Sequence, residues 1–221
     1  MPSNYSHFLS KYLVFNGVIC IFAPEEQKER TMKKYLFLLM MSLFTMTSYA
    51  QTNHMKFKGI PMEGTQSAFV KKLVEKGFVY VGMESGAAIL EGEFATIKDC
   101  TIAVERFSDR DQVSLVAVIF PEEDTWNGVA GCYFSLKGML KEKYGIPYCV
   151  EKFSNGDPED DFLRFRGILQ NECQYMSEFT CENGKIQLTM KKQSYNSASA
   201  VLRYIDNANA LEKRKKMLDD L

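Results

Sequence analysis

Hydrophobic and polar positions alternate most regularly just after residue 100. Cys100, Ile102 and Val104 fall on one side and Thr101, Ala103 and Glu105 on the other, the pattern of a half-buried strand. Similar signals predict strands over 78–81, 87–94 and 112–120, with a turn at Glu84-Ser85-Gly86. The last of these is apolar on both sides and is expected in the middle of a sheet. Before them, Phe69, Val70 and Leu73 recur at helical spacing behind Thr65, a residue suited to the N-cap, and Gly77 follows as the stop.

The same order then repeats. Pro121-Glu122-Glu123-Asp124 is read as the start of the longest helix, with Trp126, Val129, Tyr133, Leu136 and Leu140 as its buried stripe. Gly145-Ile146-Pro147 stops it, and a strand over 148–153 follows. Asp157 as N-cap, with Pro158 at the first helical position and acids in the first turn, is expected to open a helix that buries Phe162, Phe165, Ile168 and Leu169. The competing reading of 155–161 as a calcium loop fails on spacing. Strands over 172–181, 185–193 and 198–206 complete the series. A closing helix from Asn207 carries Leu211, Leu218 and Leu221 as its apolar stripe.

Three segments recur at a nearly constant offset. Glu93-Phe94 matches Glu178-Phe179, Thr101 to Glu105 matches Lys185 to Thr189 in pattern, and Val113 to Val118 is echoed by Ala198 to Arg203. A shared offset argues for duplication of one helix-plus-four-strand unit. The expected fold class is therefore α+β, two tandem helix-plus-antiparallel-sheet units with helices packed on one face. The first unit covers 64–121 and the second 122–206, with an inserted helix over 158–171 and a C-terminal helix over 207–221.

Upstream, the pattern changes from structural to topogenic. Lys33-Lys34 precede an apolar run from Tyr35 to Met46, and Ser48-Tyr49-Ala50 places small residues before a cut between Ala50 and Gln51. Residues 32–50 thus read as a signal peptide, too short for a membrane span, which needs about 20 apolar residues. Residues 1–31 read as an over-extended N-terminus. The apolar stretch within them, Leu13 to Ala23, has a membrane anchor as its rival reading. The mature chain begins at Gln51, with 51–63 as a loose tail and no membrane span, and is expected in the periplasm or outside the cell.

Charge and cysteine content narrow the chemistry. Subtracting the five Lys/Arg and three Asp/Glu of residues 1–50 from the chain's 27 and 28 leaves 22 and 25, which gives no electrostatic footprint for nucleic acid. The basic run Lys213-Arg214-Lys215-Lys216 reads as a solvated helix face. The only histidine after residue 50 is His54, so Ser-His-Asp and Cys-His nucleophile sites and His-ligated zinc are not expected. No cofactor, metal or catalytic residue is assigned. Cys149 with Cys181, or with Cys173, is the disulfide an oxidising compartment would allow, beside the alternative of buried thiols.

Two helix-then-antiparallel-sheet units in an exported chain of this length resemble the β-lactamase-inhibitor-protein-like (BLIP-like) architecture. The stretch from Tyr133-Phe134-Ser135-Leu136-Lys137 to Lys143-Tyr144-Gly145-Ile146-Pro147 is similar to small uncharacterised secreted proteins of Bacteroidetes. The resemblance implies export and a sheet with one helix-covered and one open face; it carries no functional residue. On an open face, Tyr148, Phe153, Met176, Gln187 and Tyr195 are the binding candidates, since partners are commonly held by aromatic anchors in a polar rim. The leading expectation is a non-catalytic exported module that binds a protein, peptide or envelope component. A structural or assembly factor of the envelope is the second. The third is a glycan hydrolase using acids near Glu122-Glu123-Asp124 or Asp160-Asp161, a chemistry that needs two carboxylates at defined separation.

Overall fold

A computed structural model describes residues 12–15, 18–21, 54–219 and 221, and the chain divides into two compact units, Met1–Gln51 and Thr52–Leu221. The signal segment and its cut, Ala50 and Gln51, lie outside the described residues. In the first unit, β1 (Tyr12–Phe15) pairs antiparallel with β2 (Val18–Ile21), so this apolar stretch forms a hairpin. No helix among the described residues is long and apolar enough to cross a membrane.

The second unit is α+β. It opens with a small hairpin, β3 (Lys56–Phe57) and β4 (Ile60–Pro61). Helix α1 (Gln66–Glu75) follows, then β5 (Val79–Glu84), β6 (Ala87–Phe94), β7 (Ile97–Arg106) and β8 (Val113–Ile119). The second series is α2 (Trp126–Tyr144), β9 (Tyr148–Phe153), α3 (Asp161–Leu169), β10 (Cys173–Cys181), β11 (Gly184–Lys192), β12 (Ala198–Asp206) and α4 (Asn207–Asp219).

β5 to β12 form one antiparallel sheet in the order β5-β6-β7-β8-β12-β11-β10-β9. Strands that share the sequence offset occupy mirrored places. β6 and β10 are each second from an edge, β7 and β11 third, and β8 meets β12 at the centre. There Val201 pairs with Ile119 and Arg203 with Ala117. The central position of β8 explains its apolar residues on both faces, because neighbours on either side exclude water.

One face carries the core. Leu90, Ile102, Val104, Val116, Val118, Leu202, Leu188, Ile186 and Phe179 point to it, and the stripes of α1 (Phe69, Leu73), α2 (Val129, Tyr133, Leu136) and α3 (Phe165, Ile168) bury against them. Each fully buried side chain of this size contributes about 1.5–3 kcal/mol. Thr65 caps α1 by accepting from the Ala68 amide at 3.2 Å, and Gly77 follows its end at φ +95, where only glycine is unstrained.

Several local expectations are corrected. The long helix begins behind Thr125, which accepts from the Gly128 amide, while Glu123 instead bridges to Ala198. The cap of α3 is Asp160, accepting from the Leu163 amide at 2.7 Å, and Asp157 reaches forward to Arg164 at 3.2 Å. That start turns Phe162 outward, 74% exposed. Nor are residues 54–63 loose: Met55, Phe57, Ile60 and Met62 are buried, with Phe57 edge-on to Tyr204 at 4.9 Å between ring centres. Hydrogen bonds explain the ordering. The fully buried Asp206 carboxylate accepts from the Met55 amide at 2.5 Å and the Asn209 amide at 2.8 Å, and lies 3.1 Å from His54 Nδ1.

Candidate functional site

The stripes of α1, α2 and α3 leave the second face of the sheet uncovered, and α4 approaches it only at the end marked by Ala87 and Glu105. Register places two continuous transverse rows on it. One runs Val79, Glu91, Thr101, Ile119, Val201, Thr189, Met176, Val150. The other runs Gly82, Ile89, Ala103, Ala117, Arg203, Gln187, Glu178, Tyr148. Strand parity accounts for these positions, which alternate with those of the core, except on β5, where a bulge between Tyr80 and Gly82 brings Val79 and Gly82 to the same face. The middle of the face is apolar and close-set, the edges are more exposed, and Tyr148 at the β9 edge is 67% exposed.

Charge divides this face at the β8–β12 seam. On the β5–β8 half, Glu84, Glu91 and Glu105 share the side of Ala87, Thr101 and Leu115. On the β12–β9 half, the same side carries Lys152, Lys185, Lys191 and Arg203, with Glu178 as the one acid. That acid is offset by its neighbours, since Lys185 Nζ donates to Glu178 at 2.6 Å and Gln187 Nε2 at 2.8 Å. These bonds hold its pKa below the ordinary carboxylate value. Along its strands the face is thus acidic on one half and basic on the other, with Lys213, Lys215 and Lys216 of α4 gathered near Glu105 at one end of the acidic half.

The sequence-based candidates distribute unevenly. Tyr148, Met176 and Gln187 lie on the open face within the two rows. Tyr195 stands in the loop joining β11 to β12 and is 91% exposed. Phe153 does not belong with them. Paired with Cys173, it faces the core side and packs on Trp126 and Tyr175 at 5.9 and 5.7 Å between ring centres.

The disulfide expectation is also corrected. Cys149 pairs with Ser177, four residues from both Cys173 and Cys181 along β10, so either bridge would have to span roughly 13 Å. All five described cysteines carry free thiols. The buried-thiol alternative holds for Cys100, and burial pushes Cys132 and Cys173 up to about 11.

The acids offered as hydrolase candidates are occupied structurally. Asp160 caps α3, Asp161 accepts from Asn127 Nδ2 at 2.9 Å, and Glu122 accepts from the Ser197 hydroxyl. Glu123 lies beside the start of α2, where a Cβ on Gly128 would strike its carboxylate. Among the described residues, no three His, Cys, Asp or Glu side chains group as a metal ion would require.

Sequence reasoning missed a polar cluster between α2 and the β9–β10 edge. The Tyr133 hydroxyl lies 2.7 Å from the Ser177 hydroxyl and 2.9 Å from the Glu151 carboxylate, which also accepts from Lys137 at 2.6 Å. Burial pushes the Tyr133 phenol strongly up. Lys137 loses some preference for its charge through partial burial, but the Glu151 carboxylate more than restores it and the amine is raised. This arrangement ties α2 to the sheet edge. A cavity of about 810 Å³ lies between α4 and the β5–β6 and β7–β8 turns. Two ion pairs cross it, Arg110 with Glu212 at 2.6 Å and Lys216 with Asp109 at 2.9 Å, and Glu105, Arg106, Lys213 and Lys215 also line it.

No known protein family matches this chain, and no curated protein or solved structure does.

Proposed function

We propose that the chain is an exported, non-catalytic interaction module, released by cleavage between Ala50 and Gln51 and acting in the periplasm or outside the cell, with the open sheet face as its binding surface. One observation carries the reading: a continuous eight-stranded face keeps apolar positions at its centre and opposite charges on its two halves, uncovered by α1, α2 or α3. Such a surface recognises a partner by burial at the centre and steers it by charge. The tandem helix-plus-four-strand order supports the BLIP-like duplication as the origin of that surface. The partner class is a protein, peptide or envelope component, with no cofactor.

The test is capture of envelope proteins by residues 51–221 tethered through the helix side, at an exposed residue such as Lys141. A specific partner lost on Arg203→Glu together with Gln187→Lys supports the reading. Capture indifferent to these changes, or absent in repeated trials, contradicts it.

A further inference from the structure

The charge division makes the open face complementary to itself, and we infer that the occupant of this face is a second copy of the same chain. This rests on the proposal that the open face is the interaction surface and names its partner. A two-fold axis lying between two such faces and parallel to the strands exchanges left and right while keeping each row at its own height. The acidic half of one copy then meets the basic half of the other. A two-fold axis perpendicular to the strands would set acid against acid, so charge selects one geometry.

Opposite charges meet at the end of the face, where Glu105 opposes the second copy's Lys185, whereas within the two rows Glu91 opposes Met176 and Glu178 opposes Ile89. Under this axis Ile119 meets the partner's Val201 at the centre, apolar on apolar. Gly82 and Ala117, the small residues of the second row, meet Tyr148 and Arg203, the large ones. Sheet twist rotates aligned faces by about 30°, which slides the outer pairs past one another but leaves the central ones in contact. Eight strands span about 34 Å, and three to four occupied levels span about 20 Å, so each copy offers roughly 700 Å². A standard stable interface takes about 800 Å² from each partner.

The experiment uses residues 51–221, which contain the whole sheet and its core. One variant carries Lys152→Glu, Lys191→Glu and Arg203→Glu; the other carries Glu84→Lys, Glu91→Lys and Glu105→Lys. Light scattering at micromolar concentration is expected to give twice the chain mass for the wild type, a single-chain mass for each variant alone, and twice the chain mass again for their equimolar mixture. Salt supplies a second readout independent of variant folding: at 1 M, where screening acts within about 3 Å, wild-type dissociation should strengthen at least about tenfold relative to low salt. A monomeric wild type overturns the inference, as does a dimer indifferent to salt or a mixture that stays single. If the wild type is monomeric while Arg203→Glu still abolishes partner capture, self-pairing falls and the open-face reading stands. If capture is also indifferent, both fall.

Discussion

Asp206→Ala is expected to destabilise the sheet unit more than any exposed substitution. The carboxylate is fully buried at the β12–α4 junction and accepts from two backbone amides, Met55 and Asn209, with His54 beside it. Removing it deletes the N-terminal bond of α4, about 1 kcal/mol, and leaves the Met55 amide without its acceptor, about 1–3 kcal/mol. The total is about 3 kcal/mol, and at a urea m-value of about 2 kcal/mol/M the midpoint falls by about 1.5 M. Asp206→Asn keeps one acceptor oxygen and should lose about half as much. Urea melts followed by tryptophan fluorescence measure both, with Trp126 as the only tryptophan. A midpoint shift below about 0.3 M for the alanine variant would refute the claim that this carboxylate anchors residues 54–62.

Other expectations follow from the same geometry. The β6–β7 turn holds Ala95 at φ +51 and Thr96 at φ +67, a left-handed pair that prefers Asn-Gly, so Ala95→Asn with Thr96→Gly should raise stability by about 1 kcal/mol in thermal melts. Gly184→Ala should lower it, because the new Cβ would sit 2.6 Å from the Ile205 carbonyl and from Met55 Sδ; an unchanged melting temperature would contradict the hairpin docking. The folded pKa of Glu178 is depressed, so its stabilising contribution is present above the unfolded value and is lost as pH falls through the folded one. Carbon-13 NMR titration should show that low midpoint, and Lys185→Met should move it up toward the ordinary value. Native alkylation at neutral pH should label Cys149 first and leave Cys100, Cys132 and Cys173 slow, with all five thiols reacting after denaturation without reductant.

Much of the fold was legible because its strands obey simple periodicity. The alternation from Cys100 to Glu105 and the doubly apolar 113–119 segment report burial that the sheet order confirms, and Thr65 and Gly77 bracket α1 by ordinary capping chemistry. The failures have physical causes. Residues 157–161 hold four acids, and the choice of Asp160 as cap depends on which rotation buries Phe165 and Ile168. In β9 apolar residues fall at 148, 150 and 153, mixing both parities, so only pairing with β10 shows that Phe153 faces inward. Leu211 and Leu218 read as a buried stripe but are 69% and 58% exposed, because Asn209, Glu212 and Lys216 hold the polar side of α4 against the protein. The hairpin at 56–61 had a readable signal, alternating apolar residues around Lys58-Gly59, which its closeness to the signal segment obscured. The divided charge of the open face could not be read at all, since only strand order places Glu91 and Lys191 on opposite halves of one surface.

Site-specific photocrosslinking in the envelope addresses the central claim most directly. A benzophenone side chain placed at Gln187 or Thr101, on the open face, is expected to give discrete protein adducts, while one at exposed Lys141 on α2 gives none. Adducts from Lys141 alone, with Gln187 and Thr101 silent, would mean that the surface this chain uses is not the sheet.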